Sequence, residues 1–461
     1  MTPTIRSRHR RTVGLGLLAG LSLTAAACSD GASDASDAAP TATAGARSTA
    51  TAAAGAPAEI TEPVTIRFEN YNLASAGLGR DATLKLLQQF EAANPLITVE
   101  TTATSSEEMF PSLQAQVVAG NAPDLAQLLL REWDQNIENL PVVDLGVAIG
   151  ADEVAAHLGG DLPVHPRAAA LTVRDGITYG LPYVFSTPTL FYNADLFREA
   201  GLDPDDPPAT WDEVAAAAQA VADRTDAGGL YIACIEIDWC TQGIVRSNGG
   251  RVMAADRSAV TWADEPSIEV YEFWQDMVES GAHVDMTAAD AGDAFAAGTI
   301  GMLLNTSAVQ SSLLAASDGV WDLRATGMPT FGDQPAVPVN SGSGLGILTD
   351  DPLRQRAAWE LMKFLTSADA MQIITTEMGY LPLRPDMVDD PAYLADWEHR
   401  DLITPNLAQL DELEPSLSFP GQNALQIRDL YLDSLERVLF DGADAEETFM
   451  ASQAQAEELV R

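Results

Sequence analysis

Lysine is nearly missing from this chain. Of 461 residues only Lys85 and Lys363 carry an ammonium group, and 25 basic residues face 67 acidic ones for a net charge of −42. A surface of that sign repels nucleic acid and anionic membranes and excludes both as partners, while saying nothing about fold. Histidine is scarce as well: His9, His157, His165, His283 and His399 are scattered, and none pairs at metal-ligand spacing. No His-Glu-x-x-His, Gly-x-Ser-x-Gly or phosphate-loop pattern occurs, and Gly14-Leu15-Gly16, the nearest thing to a dinucleotide glycine pattern, falls in the N-terminal apolar run. Carboxylates are so abundant that a pair suited to glycoside hydrolysis can be drawn anywhere and argues nothing. The expectation is a chain with no enzymatic activity and no cofactor or metal. After the N-terminal run, no segment reaches the length of a membrane-spanning helix.

What is present begins with an export signal. Arg6, Arg8, Arg10 and Arg11 precede an apolar stretch, Val13 to Ala26, of signal-core length and short for a bilayer span. It ends Leu23-Thr24-Ala25-Ala26-Ala27-Cys28, small residues before a cysteine that resemble a lipobox. Residues 1–27 then form a signal peptide, and Cys28 becomes the lipidated first residue on the outer face of the cell membrane. Ordinary cleavage after Ala-x-Ala, with Cys28 incidental, is the alternative. From Cys28 to Glu62 the chain is almost wholly Ala, Thr, Ser, Gly, Asp and Pro, which cannot bury a core and predicts a disordered tether. The stretch from Pro63 to Arg461 is long for one core and natural for two lobes. With Cys28 assigned to lipid, Cys234 and Cys240 remain, and an oxidising compartment favours a disulfide between them. Two buried thiols or metal ligation are the alternatives.

Along the exported part, Val64-Thr65-Ile66-Arg67-Phe68 alternates as a strand and Ala82 to Ala93 has helical period. Ile97–Glu100 reads as a strand, Met109–Ala119 as a helix, and Asp124–Leu128 as a further strand. That alternation predicts an α/β lobe with a largely parallel sheet. Ile177–Tyr192 is β-rich but interrupted by Pro182 and Pro188, so it cannot lie wholly inside one sheet. Asn193–Leu202 reads as a short helix stopped by Gly201. Thr210-Trp211-Asp212-Glu213 has the form of a helix cap with acidic first-turn residues.

The run Leu181-Pro182-Tyr183, Ser186 to Asn193, Phe197, Ala200-Gly201-Leu202 and Pro207 to Glu213 resembles the signature of the family 1 extracellular solute-binding proteins, which serve carbohydrate-type ABC importers. Phe90 to Pro95, Gly120 to Asp124, Phe295 to Met302, Trp359 to Leu365 and Gly379-Tyr380-Leu381-Pro382 follow in the family's order. The resemblance implies a two-lobed periplasmic-binding-protein-like α/β fold with ligand held in a cleft between lobes. It places crossings between lobes near Phe185-Ser186, Asn305-Thr306 and Gly342-Ser343. Lobe 1 is then expected over 63–185 plus 306–342, and lobe 2 over 186–305 plus 343–461.

A cleft for polyols needs aromatic faces for C–H surfaces and hydroxyl, amide or carboxylate groups for O–H edges. Tyr71, Trp133 with neighbouring Glu132, Tyr183, Phe185, Trp239 and Tyr380 are candidates, each with core packing as its plainer reading. Trp239 and Tyr380 stand out because they lie in loops rather than periodic segments. Gly379 to Leu383 and Gln426-Ile427-Arg428 are also similar to the binding proteins for glycerol 3-phosphate and glycerophosphodiesters. That likeness implies ligand contacts from Tyr380, Arg428, Ser186 or Thr187, Thr306 or Ser307, and Gly342. Arg428 suits a phosphate through its paired donors, with the NH groups of Ser341-Gly342-Ser343-Gly344 adding to it; a surface pairing with Asp429 or Glu436 is its alternative. A single clear tryptophan in the cysteine loop, and Ser105-Ser106-Glu107-Glu108-Met109 in place of the expected aromatic–acid contact, tilt the balance toward a neutral sugar or oligosaccharide. The partners expected are that solute, ABC permease subunits and the membrane through lipid alone, for a monomer. A secreted glycosidase and a surface adhesin are the rival classes.

Overall fold

The structure is a computed structural model that describes residues 59–460 other than 75–77 and 422. The signal peptide, Cys28 and the tether up to residue 58 lie outside the described residues. Strand β1 (Val64–Asn70) buries Val64, Ile66 and Phe68 and exposes Thr65, the alternation expected of a strand with a core on one side. Helix Leu78–Ala93 carries Leu86, Leu87 and Phe90 on its inner face and returns the chain to β2 (Ile97–Ala103), parallel to β1. Helix Met109–Val118 leads to β3 (Leu125–Leu129), also parallel to β1. A small hairpin, β4 (Val173–Arg174) with β5 (Ile177–Thr178), precedes β6 (Leu181–Ser186) and β7 (Pro188–Asn193). β8 (Gly228–Ile232), β9 (Ile300–Thr306), β10 (Leu323–Thr326) and β11 (Ser341–Ile347) complete the strands among the described residues.

The other nine strands form two separate sheets, ordered β2-β1-β3-β11-β6 and β10-β7-β9-β8, each covered by helices, so the molecule is a two-lobed α/β protein. Pro188 explains the break between β6 and β7. Having no N–H, it starts a new strand in the second sheet, and the chain crosses between lobes at residues 186–188. Local chemistry fixes the neighbouring helices as expected. The Asn193 side chain accepts from the Asp195 and Leu196 amides to start helix Ala194–Ala200, and Gly201 ends it at φ +77. Thr210 and Glu213 form a reciprocal capping box on helix Trp211–Arg224.

The expected division of the C-terminal half is corrected by the sheets. β10 lies within 306–342 but pairs with β7 in the second sheet, and Met328, Ala336 and Val339 lie in the second core. β11 lies mostly beyond residue 342 yet sits between β3 and β6 in the first sheet. Helix Pro352–Leu365 follows it, burying Ala358, Trp359, Met362 and Leu365 in the first core. The later crossings therefore fall at 340–341 and between Leu413 of the first core and Phe419 of the second, not at Asn305-Thr306. Strand pairing is long-range and leaves no mark in the local pattern, which is why the sequence misplaces these segments. A Cβ at Gly344 or Gly346 would stand 2.8 Å from Trp133 or Leu128 respectively, so the glycine-rich β11 is a thin strand inserted between β3 and β6 of a packed sheet.

Candidate ligand-binding cleft

Both sheets deliver strand ends to one place. β1 and β3 are parallel, so Tyr71 after one and Leu130-Arg131 after the other emerge at the same edge of the first sheet. β11 runs against both β3 and β6, which sets Ser341 opposite Ser186 at that edge. In the second sheet Thr306 at the end of β9 faces Pro188, and the parallel β8 runs on into the segment bearing Trp239. Ligands of open α/β sheets bind outside such strand ends. A cavity of about 190 Å³ fills the junction, and Tyr71, Ser186, Trp239, Thr306, Gly342 and Tyr380 line it. These six residues, far apart in sequence, are brought together.

A buried polar frame holds the wall. The Thr306 hydroxyl donates to Ser186 Oγ at 2.8 Å, joining β9 to the end of β6. Gln127, fully buried, accepts from the Tyr71 backbone N–H at 3.1 Å and donates to Ser343 Oγ at 2.9 Å, tying β1 to β11. Burial pushes the Tyr71 phenol up, against its hydrogen bonds with Ser343 and Tyr380. Gly379 at φ +87 packs its α-carbon against Ala308 and Ser311, and the Leu381 amide donates to the Phe185 carbonyl at 2.9 Å. That turn presents Tyr380 to the cavity. Cys234 and Cys240 form a disulfide with 5.3 Å between α-carbons, which removes the free-thiol and metal alternatives. The bond closes the loop at the start of helix Asp238–Ser247, and Trp239 within that loop is buried against the second core while its edge reaches the cavity.

Charge gathers at one end. Glu107 and Arg131 line the cavity, and Arg131 donates to both Glu107 oxygens at 3.2 and 3.4 Å while its Nε lies 3.4 Å from Glu132. Burial alone would pull the Arg131 guanidinium down, but Glu132, Glu107 and Asp238 hold it above its ordinary value. Burial raises Glu132 against Arg131, and raises Asp238 against Arg131 and Arg428.

Seven expected residues lie off the cavity wall, among them Tyr183 and Phe185, which are buried in the first core. Trp133 is a core residue beneath the first sheet, where its ring occupies the space a Cβ at Gly180 or Gly344 would need. Glu132 stands behind Arg131. Thr187 is buried and accepts from the Asn406 amide at 2.8 Å, and Ser307 is buried with its hydroxyl unpartnered among the described residues. Arg428, on helix Ala424–Asp441, is half-buried and pairs with Asp429 at 3.3 Å. Sequence reasoning missed Arg131 and Asn340 as wall residues, and named Ser106 and Glu107 only as a replaced contact and Ser341 only as an amide donor. The signal for Arg131 was its place directly after an apolar strand, the position that Trp133 and Glu132 were given instead.

A profile of the family described as bacterial extracellular solute-binding protein matches residues 85–401. The sn-glycerol-3-phosphate-binding periplasmic protein UgpB of Brucella melitensis is 23% identical over 296 residues, covering 59% of this chain and 65% of that one. Among solved structures, the cyclic alpha-maltosyl-1,6-maltose binding protein of Arthrobacter globiformis is 22% identical with a TM-score of 0.72, over 86% of this chain and 99% of that one. UgpB of Mycobacterium tuberculosis in complex with glycerophosphocholine is 22% identical with a TM-score of 0.71, over 86% of this chain and 98% of that one. At such identity the structures establish shared fold and the profile establishes kinship: this chain belongs to the bacterial extracellular solute-binding proteins.

Proposed function

We propose that this protein captures a small neutral sugar or oligosaccharide outside the cell and hands it to the permease of an ABC importer, while Cys28 anchors it by lipid to the outer face of the membrane. One observation carries this reading: the cavity at the junction of the lobes is walled by three aromatic rings and by hydroxyls drawn from both sheets. We further take the two sheet-centred units, 64–186 with 341–413 and 188–340 with 419–460, as the lobes that close. A solute touching both walls favours the closed population by its differential contacts. The Arthrobacter relative binds a cyclic maltose-based saccharide, in keeping with this choice. Titration calorimetry of the exported domain against a sugar panel, guided by mass spectrometry of solute carried through purification, tests it. Trp239→Ala should weaken the solute about tenfold, the loss of one ring face. Binding unchanged by that substitution would remove the cavity from consideration.

A second reading, a glycerol phosphate or its diester, is favoured by Arg428. Its Nε is buried without a hydrogen-bond partner among the described residues, and its charge reaches Asp238 and Glu132. The glycerophosphocholine complex of the Mycobacterium relative points the same way. Arg428→Ala should abolish binding if the solute is anionic and leave it nearly intact if it is neutral. The protein is read as a binder without turnover, so hydrolysis of a bound oligosaccharide by pure protein would count for the glycosidase class.

A further inference from the structure

Glu107 and Arg131 line the charged end of the cavity, with Glu132 behind Arg131 and Asp238 beside Trp239 on the second lobe. Glu107, Arg131 and Glu132 come from the first lobe, where Arg131 is held between the two glutamates at 3.2 and 3.4 Å. Asp238 comes from the second, one residue before Trp239. It is only 8% exposed, and its own backbone N–H donates to its carboxylate. It lies within the fields of Arg131 and Arg428. Three carboxylates thus stand around two guanidinium groups, one of which is also paired with Asp429.

This balance has a chemical consequence. A phosphate is held best by a guanidinium whose two-pronged face is free. Arg131 enters the site with Nη2 already bonded to Glu107 and Nε beside Glu132, so that edge of its guanidinium is taken. A phosphate would bring more negative charge beside Glu107, and like charges in a partly desolvated site repel strongly. A polyol brings no charge, and its hydroxyls can donate to the carboxylates and accept from the remaining arginine N–H groups.

We propose that Arg131, clamped by Glu107 and Glu132, is a charge filter that admits neutral polyhydroxyl solutes and turns away phosphorylated ones. This rests on the reading of the cavity as the solute site and decides between the two solute classes. The clamped arginine offers donors without offering net positive charge, so removing carboxylates opens the site to anions.

The test uses glycerol 3-phosphate as the anionic probe, read by Trp239 fluorescence and by calorimetry on the whole exported domain. Glu107→Gln is the first variant, since that side chain is 67% exposed and its loss does not threaten the fold. Asp238→Asn and the double variant follow, with melting temperatures recorded alongside. Half-saturation by glycerol 3-phosphate should fall at least tenfold from wild type to the double variant, with a partial gain in Glu107→Gln alone. Equal response of wild type and variants overturns the filter, and so does a wild type that binds glycerol 3-phosphate as tightly as any sugar. The sugar panel is the separate arm. If no sugar binds while the variants still gain the anion, the filter stands and the sugar reading fails. If sugars bind and the variants gain nothing, the filter alone fails.

Discussion

Gly342 can be nothing but glycine. Its φ is +111, and a Cβ there would overlap the Val184 carbonyl across the β11–β6 pairing, at the wall of the cavity. Gly342→Ala should cost about 3 kcal/mol or more and lower the melting temperature by several degrees, measurable by scanning calorimetry. His157 sets a pH dependence of its own. Burial first, and then the charges of Arg384 and Lys363, hold its imidazole down to about 4, against Glu153, while its Nε2 lies 2.7 Å from Thr366 Oγ1. The unfolded chain, with an ordinary value of about 6.5, binds a proton there that the folded chain refuses. Stability from this residue is therefore full above about 6.5, falls as pH drops through the interval, and is lost by about 4. In parallel melts between pH 7 and 4.5, His157→Gln should lose less of its melting temperature than wild type; an equal loss would remove His157 as a cause. The sequence showed this histidine only as unpaired, because its neighbours come from distant segments.

Among the elements, the segment from β8 to helix Asp238–Ser247 is the one whose order matters most to the cavity. Its disulfide spans six positions, and closing so short a loop stabilises by about 2 kcal/mol on the chain-entropy account. Reduction, or Cys234→Ser with Cys240→Ser, should lower the melting temperature by a few degrees. It should weaken solute binding by a larger factor than the fold loss explains, since Trp239 loses its brace. Calorimetry with and without reductant checks both; binding untouched by reduction would leave the bond a purely structural role. This element was legible in the sequence because two cysteines and one tryptophan mark it locally. The glycine-rich β11 was not: the sequence marks Gly342-Ser343 only as a crossing, and the sheet it enters depends on β3 and β6.

At the level of the whole molecule, one arginine spans the lobes. Arg257 sits in the second lobe at φ +59, donates through Nε to the Ser418 carbonyl at 3.0 Å, and reaches Asp134 of the first lobe at 3.1 Å. Ser418 belongs to the last crossing segment, so a single side chain holds that crossing and the facing lobe together. Partly exposed pairs contribute up to about 1 kcal/mol, a factor of roughly five in a two-state population. Arg257→Gln should therefore enlarge the ligand-free molecule in small-angle scattering and weaken solute binding by less than tenfold. A ligand-free scattering curve identical to wild type would assign the pair no part in closure.

The sequence by itself determined what is local. Apolar patterning gave β1 to β3, Asn193, Gly201 and Thr210 punctuated the helices, Pro188 forced the first crossing, motif likeness brought Ser186, Thr306, Gly342 and Tyr380 forward as site residues, and aromatic character brought Tyr71 and Trp239. Only the tertiary structure decided which sheet β10 and β11 join, and that Trp133 is core while Arg131 faces the cavity. Those facts rest on contacts between residues a hundred or more positions apart. Periodicity and capping act within a turn or a strand, so they carry no information about such pairings.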